Sequence, residues 1–145
     1  MRIVVASDHA AFEAKAALAA HLRAAGHEVV DVGTDGAASV DYPDFGALGG
    51  RAVAAGRGER GVFLCGSGIG ICIAANKVHG IRAAQVYDES SAEMSRRHND
   101  ANVACLGART LPVERVLALV DLWLTTPFEG GRHARRVEKL DALGG

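Results

Sequence analysis

Apolar positions recur along this chain with two periods that take turns. Residues 2–7 (Arg-Ile-Val-Val-Ala-Ser) form a continuous apolar run with β-branched residues, the pattern of a strand covered on both faces. Over 12–25, Phe12, Ala16, Leu18, Ala19 and Leu22 fall at helical spacing, and Gly26 supplies the stop. Residues 28–32 read as a second strand ending at Gly33, and the polar, glycine-containing stretch 34–41 as a loop. Asp41 or Tyr42-Pro43 opens the next helix, with the proline suited to a first turn. A third strand at 61–64 precedes a glycine loop and a helix over 71–77, and a fourth strand at 81–86 precedes a helix over 88–98. A fifth strand at 102–106 is closed by Gly107, and a long helix runs from Pro112 through Leu124. After a turn at 125–131, residues 132–140 predict a last basic helix or arm.

Strands that alternate with helices pair in parallel, because each helix returns the chain to the edge where it started. The expected fold is therefore α/β: a three-layer α/β/α sandwich around a five-stranded parallel, Rossmann-like sheet with a C-terminal basic helix. At 145 residues, with no internal repeat or linker, the chain is expected to be one domain over 1–145. Ligands of such sheets gather beyond the carboxyl ends of the strands. Four chemically interesting places fall there: Ser7-Asp8-His9, Cys65-Gly66-Ser67, Tyr87-Asp88 and Gly107-Ala108-Arg109.

Composition narrows the partners. A formal net charge of −1 gives no electrostatic reason to expect nucleic acid or an anionic membrane. No apolar run approaches the roughly 20 residues that cross a bilayer, and residues 1–7 lead directly into a strand, so a cytoplasmic location is expected. Three cysteines, an odd number without framework spacing, suit a reducing compartment. Cys72 and Cys105 read as small core residues. No histidine joins Cys65 and Cys72 at zinc-site spacing, so no metal is expected.

The richest stretch is Cys65-Gly66-Ser67-Gly68-Ile69-Gly70, where alternating glycines at a strand-to-helix junction let successive N–H groups face one anion beside a thiol and a hydroxyl. It is not a dinucleotide loop, since the third glycine comes one place early, and no phosphate-loop motif occurs elsewhere. Other candidates carry two readings. Asp8 is a helix cap or a ligand residue, with His9 exposed or functional beside it. His98 is a cation at a helix end or a proton-transfer group, and Asn99 a terminator or a ligand. Arg132 and Arg136, spaced i, i+4, form a solvated face or a phosphate clamp that Arg109 would join.

These pieces resemble the B-type ribose-5-phosphate isomerases, whose family also includes allose- and galactose-phosphate isomerases. The matching segments include residues 7–15, 41–45, 65–70, 73–77, 80–83, 95–102 and 130–133, in the family's order over nearly the whole chain. The resemblance implies a cofactor-free aldose–ketose isomerase that interconverts ribose 5-phosphate and ribulose 5-phosphate through an enediolate. It implies Cys65 as the base, with its thiolate favoured by the glycine nest, and loop N–H groups from Gly66 to Gly70, Gly68 and Ile69 included, around the enediolate oxygen. Ser67 and His98 match ring-opening residues, and Asn99, Asp8 and Tyr42 match sugar contacts. His9, Arg109, Arg132 and Arg136 match the phosphate end. Family sites lie between subunits, so a homodimer with shared sites is implied, and whether dimers pair into tetramers is left open. One branch replaces the cysteine by a glutamate six places on. Here that place is Ile71, which cannot accept a proton. Ala11 stands where the family commonly has Gly. A hexose 6-phosphate substrate, or a non-catalytic sugar-phosphate-binding subunit, are the alternative functions.

Overall fold

The structure is a computed structural model that describes residues 1–144. Five parallel strands, β1 (Arg2–Ser7), β2 (Glu28–Asp31), β3 (Arg60–Cys65), β4 (Ala83–Gln85) and β5 (Val103–Gly107), form one sheet in the order β2-β1-β3-β5-β4. Six helices connect or follow them: α1 (Phe12–Ala24), α2 (Tyr42–Ala54), α3 (Ile69–Asn76), α4 (Glu89–Arg97), α5 (Val113–Thr125) and α6 (Arg132–Ala142). The expected α/β sandwich is the one observed.

The unbroken apolar runs are explained by cover on both faces. Ile3, Val5, Val62, Leu64, Ala104 and Leu106 point to a core that also holds Leu18 and Leu22 of α1, Ala92 of α4 and Val116, Leu119 and Trp123 of α5. The alternate residues Val4, Ala6, Phe63, Cys65, Val103 and Cys105 face α2 and α3, meeting Ala52, Val53, Ile71 and Ala75. At roughly 1.5–3 kcal/mol per large buried aliphatic side chain, these two layers dominate the stability. One charged group joins them: Lys15, only 2% exposed, gives both Asp31 carboxylate oxygens a hydrogen bond at 2.6 Å. Asp31 Oδ1 also accepts the Gly33 N–H at 2.9 Å, so the pair fixes the exit of β2.

Three boundaries differ from expectation. α3 begins at Ile69, two residues early, because Gly68 at φ +78° lets the chain turn directly from loop into helix. β4 spans three residues, since it has a single neighbour, β5. The Asn76 amide takes over the start of that edge: its Oδ1 accepts the Ala83 N–H (2.8 Å) and its Nδ2 donates to the Ala83 carbonyl (2.9 Å). A short 3₁₀ turn, His9–Ala11, precedes α1; Ala11 there has φ −114°, so its Cβ is accommodated without strain.

Two features of the topology govern the site. The chain departs to opposite sides from β1 and β3, so the carboxyl ends of these central strands frame the switch-point crevice. Each crossover helix then runs back antiparallel to its strand, so the C-termini of α4 and α5 reach the opposite, amino-terminal edge of the sheet.

Candidate active site

At the carboxyl edge, a cavity of about 550 Å³ opens over the switch point, lined by Asp8, Tyr42, Arg109, Thr110 and residues of the glycine loop. Asp8 follows β1, Cys65 closes β3, and Arg109 follows β5. Cys65 is 4% exposed, while Ser67 and Ile69 are open to solvent. The loop is shaped from below and above. A Cβ on Gly68 would lie 2.8 Å from the Leu106 carbonyl carbon and 2.9 Å from the Gly107 nitrogen, so the loop rests directly on β5. A Cβ on Gly70 would collide with the Tyr42 ring, which packs across the first turn of α3.

Hydrogen bonds orient the reactive groups. The Gly68 N–H donates to Cys65 Sγ (3.1 Å) and the Ile69 N–H to Ser67 Oγ (3.2 Å). This corrects one expectation: two of the loop N–H groups assigned to an oxyanion already serve the thiol and the hydroxyl. Gly70, at the second position of α3, has no intrahelical acceptor for its N–H, and the N–H groups of Gly66 and Ser67 are likewise without a partner among the described residues. Gln85 Nε2 donates to the Ser67 carbonyl at 3.1 Å, tying the loop to β4. Asp8 satisfies both of its readings: Oδ1 accepts the Ala10 N–H at 3.0 Å as a cap, and the residue lines the cavity. His9 lies outside the lining, with Nδ1 against the Val40 backbone N–H at 3.1 Å. Ile71 is fully buried in the core, not at the site.

Tyr87-Asp88, expected to join this group, does not. Asp88 caps α4, its carboxylate accepting the Ser91 N–H at 2.7 Å in a capping box, and β4 lies at the sheet edge away from the switch point.

His98, Asn99, Arg132 and Arg136 form a second group at the amino-terminal edge, and none of them lines the Cys65 cavity. His98 is the C-cap of α4. The left-handed residue that ends this helix is Asp100, at φ +46°, and not Asn99, because the Asp100 carboxylate is held from two sides. Arg96 donates to it at 2.8 Å and also to the carbonyls of Ala101 (2.7 Å) and Thr126 (3.2 Å). Arg82 approaches the same carboxylate at 3.6 Å and bonds Asp141 of α6 at 2.9 Å. Asn99 is thereby turned outward, at the margin of a separate cavity of about 480 Å³ bounded by the ends of α3 and α6. The His98 ring stacks on His133, with centroids 4.2 Å apart and planes 15° from parallel. Burial, then the neighbouring His98 and Arg132, push the His133 imidazole below its ordinary pKa. Arg132 and Arg136 are exposed on the first turns of α6. The expectation that Arg109 joins these two arginines on one anion fails within a single chain, since they stand at opposite edges of the sheet.

Sequence reasoning missed three participants. Thr110 carried no motif. Ile73 was legible as the residue one turn beyond Ile69 on a helix apolar all round; the two are 57% and 51% exposed. His133 was seen only as part of a basic run, and its pairing with His98 joins segments 35 residues apart. Of the other thiols, Cys105 is fully buried with its pKa raised by burial, and half-buried Cys72 is lowered by a hydrogen bond with it, as suits small core residues. Among the described residues, no helix is long and apolar enough to cross a membrane.

The chain as a whole is similar to known proteins. Residues 3–140 match the family model described as Ribose/Galactose Isomerase. The chain is 43% identical to ribose-5-phosphate isomerase B of Escherichia coli, over 98% of this chain and 95% of the relative. It superposes on the Clostridium thermocellum ribose-5-phosphate isomerase B with a TM-score of 0.95 at 50% identity, covering 97% and 95% of the two chains. It superposes on the Mycoplasma genitalium ribose-5-phosphate isomerase B with bound ribulose-5-phosphate at 0.91 and 40% identity, covering 97% and 93%. With the family model spanning nearly the whole chain and the fold shared throughout, this protein belongs to the ribose/galactose isomerase family and is an isomerase.

Proposed function

We propose that the chain interconverts ribose 5-phosphate and ribulose 5-phosphate, and that each active site is assembled from two copies of it. The observation that carries the second part is the placement of Cys65 and His98 at opposite edges of one sheet. Six residues of β3 at roughly 3.3 Å each separate those edges by about 20 Å. A pentose phosphate is too short to span that distance, so one chain cannot apply both groups to one sugar. A two-fold dimer that sets the carboxyl edge of one copy against the amino-terminal edge of the other forms two equivalent sites. The exposed Ile69 and Ile73 on the rim of the Cys65 cavity suit burial in such a contact.

In this assembly His9 and Arg109 of one copy and Arg132 and Arg136 of the other hold the phosphate, offsetting its charge from two sides. Asp8, Tyr42 and Asn99 hold the sugar hydroxyls. His98 gives a proton to the ring oxygen as its bond to C1 breaks, the anomeric hydroxyl passes its proton to water and becomes the C1 carbonyl, and Ser67 hydrogen-bonds the freed hydroxyl. The Cys65 thiolate then removes the C2 proton, and the electron pair moves through C1 onto O1. The unpaired N–H groups of the loop, those of Gly66 and Gly70, stabilise that oxygen as it gains charge. Cys65 returns its proton to C1 and is regenerated as the thiolate, while O1 gains a proton and O2 loses one. No redox cofactor is required, because the hydrogen is moved as a proton within one substrate.

Cys65→Ala tests the assignment. The expected result is a kcat lowered by about 10²–10⁴-fold, the usual worth of a positioned base, with ribose 5-phosphate affinity kept within several-fold. Near-normal turnover overturns the role of Cys65. A kcat/KM comparison of ribose 5-phosphate with allose and galactose 6-phosphates decides the sugar length, and a preference for either hexose overturns the pentose assignment.

A further inference from the structure

We propose that His98, His133 and Glu129 form a binding site for a divalent transition ion of zinc type, and that an ion there switches the isomerase off. The ligand atoms of the three side chains all lie within 4.8 Å of one another. Backbone contacts bring them together: the Glu129 N–H donates to the Arg97 carbonyl at 3.1 Å, which sets Glu129 beside His98 at the end of α4. The chain then turns through Gly130 and Gly131, both at positive φ, to start α6 and deliver His133. His133 is 6% exposed, yet its nearest acidic partner, Glu129 Oε2, stands 3.8 Å from Nε2, beyond hydrogen-bond range. His133 thus faces a second imidazole and a carboxylate without a hydrogen bond to either.

The chemistry of the donors selects the ion. Two imidazoles and one carboxylate suit zinc, cobalt or nickel, whereas magnesium and calcium favour all-oxygen shells. Ring nitrogens donate in the ring plane, so two rings only 15° from parallel cannot share an ion as they stand. Binding requires His98, half-buried and at a helix end, to swing its ring out of the stack. That motion removes His98 from the sugar, and coordination takes the lone pair it needs to carry a proton. The inhibitory consequence rests on the ring-opening role proposed for His98; the site itself does not.

The test is a calorimetric titration of the whole enzyme with Zn²⁺, alongside Co²⁺ absorption spectra and isomerase assays with and without a chelator. One ion per subunit is expected, with inhibition that the chelator reverses. Glu129→Gln should leave the metal-free kcat/KM unchanged and weaken Zn²⁺ binding and inhibition by about tenfold or more, the scale on which a lost supporting group acts at metal sites. His133→Asn should abolish the visible Co²⁺ bands. Cys65→Ser should bind Zn²⁺ like the wild type; loss of binding there puts the ion on the thiol and overturns the site. Unchanged affinity in Glu129→Gln, or no binding by the wild type, overturns it equally. Binding that depends on Glu129 and His133 without inhibition upholds the site and instead refutes the ring-opening role of His98.

Discussion

If each site takes Cys65 from one subunit and His98 from another, two dead enzymes should make a living one. Cys65→Ala damages only the carboxyl-edge half-site and His98→Asn only the amino-terminal one, and about 20 Å of β3 separates the two changes, so neither disturbs the other locally. In a homodimer of either variant both sites carry the lesion. In a hybrid dimer one site collects both lesions and the other collects none. Random reassortment of equal amounts makes half of the dimers hybrid, each with one sound site of two, so the mixture should recover about a quarter of wild-type specific activity. The assay is ribulose 5-phosphate formation after unfolding and refolding the variants together, with each variant refolded alone as baseline. Hybrids can be isolated with two affinity tags, and their activity should approach half of wild type. If purified hybrids form and remain as inactive as their parents, the two-copy site is wrong. Full activity of an isolated wild-type monomer refutes it as directly.

Two further outcomes follow from the geometry. Gly68→Ala combines a left-handed φ of +78° with a Cβ pressed against the β5 backbone, and should cost at least about 1–3 kcal/mol while displacing Cys65 from its N–H donor; an unchanged melting temperature with unchanged kcat contradicts this account of the loop. Because His133 is held below its ordinary pKa in the fold, the unfolded chain binds its proton more readily, and the native state loses stability as pH falls below the unfolded value of about 6.5. Melting curves between about pH 7.5 and 5.5 should therefore fall less steeply for His133→Asn than for the wild type, and parallel slopes remove His133 as the cause.

Much of the fold was legible because strand and helix periods are local properties. The apolar runs of β1, β3 and β5 need cover on both faces wherever they sit, and Gly26 and Pro112 mark boundaries through their own backbone preferences. The start of α3 was misjudged because Gly68 turns the chain directly into the helix, and the other misjudged places lay where a distant group intervenes. The Asn76 amide holds the entry to β4, and Arg96 and Arg82 hold Asp100 in the left-handed turn that ends α4, the place that one of two readings gave to Asn99. Roles split in the same way. Asp8 and Asp88 both follow strand ends in the sequence, and their distance from the switch point separates them: the first opens onto the Cys65 cavity and the second caps α4 at a sheet edge.

The sequence by itself determined the alternation of elements and the gathering of a thiol, a hydroxyl and alternating glycines in one loop, because each depends on neighbours within a few residues. The tertiary structure decided which candidates can meet. A parallel strand and its crossover helix end at opposite edges of the sheet, so His98, Asn99, Arg132 and Arg136 stand across the molecule from Cys65 and Arg109, however suggestive the motif that joins them. It also stacked His98 on His133 beside Glu129. No spacing along the chain encodes that contact, because the end of α4 and the segment before α6 meet through the Glu129 N–H bond to the Arg97 carbonyl.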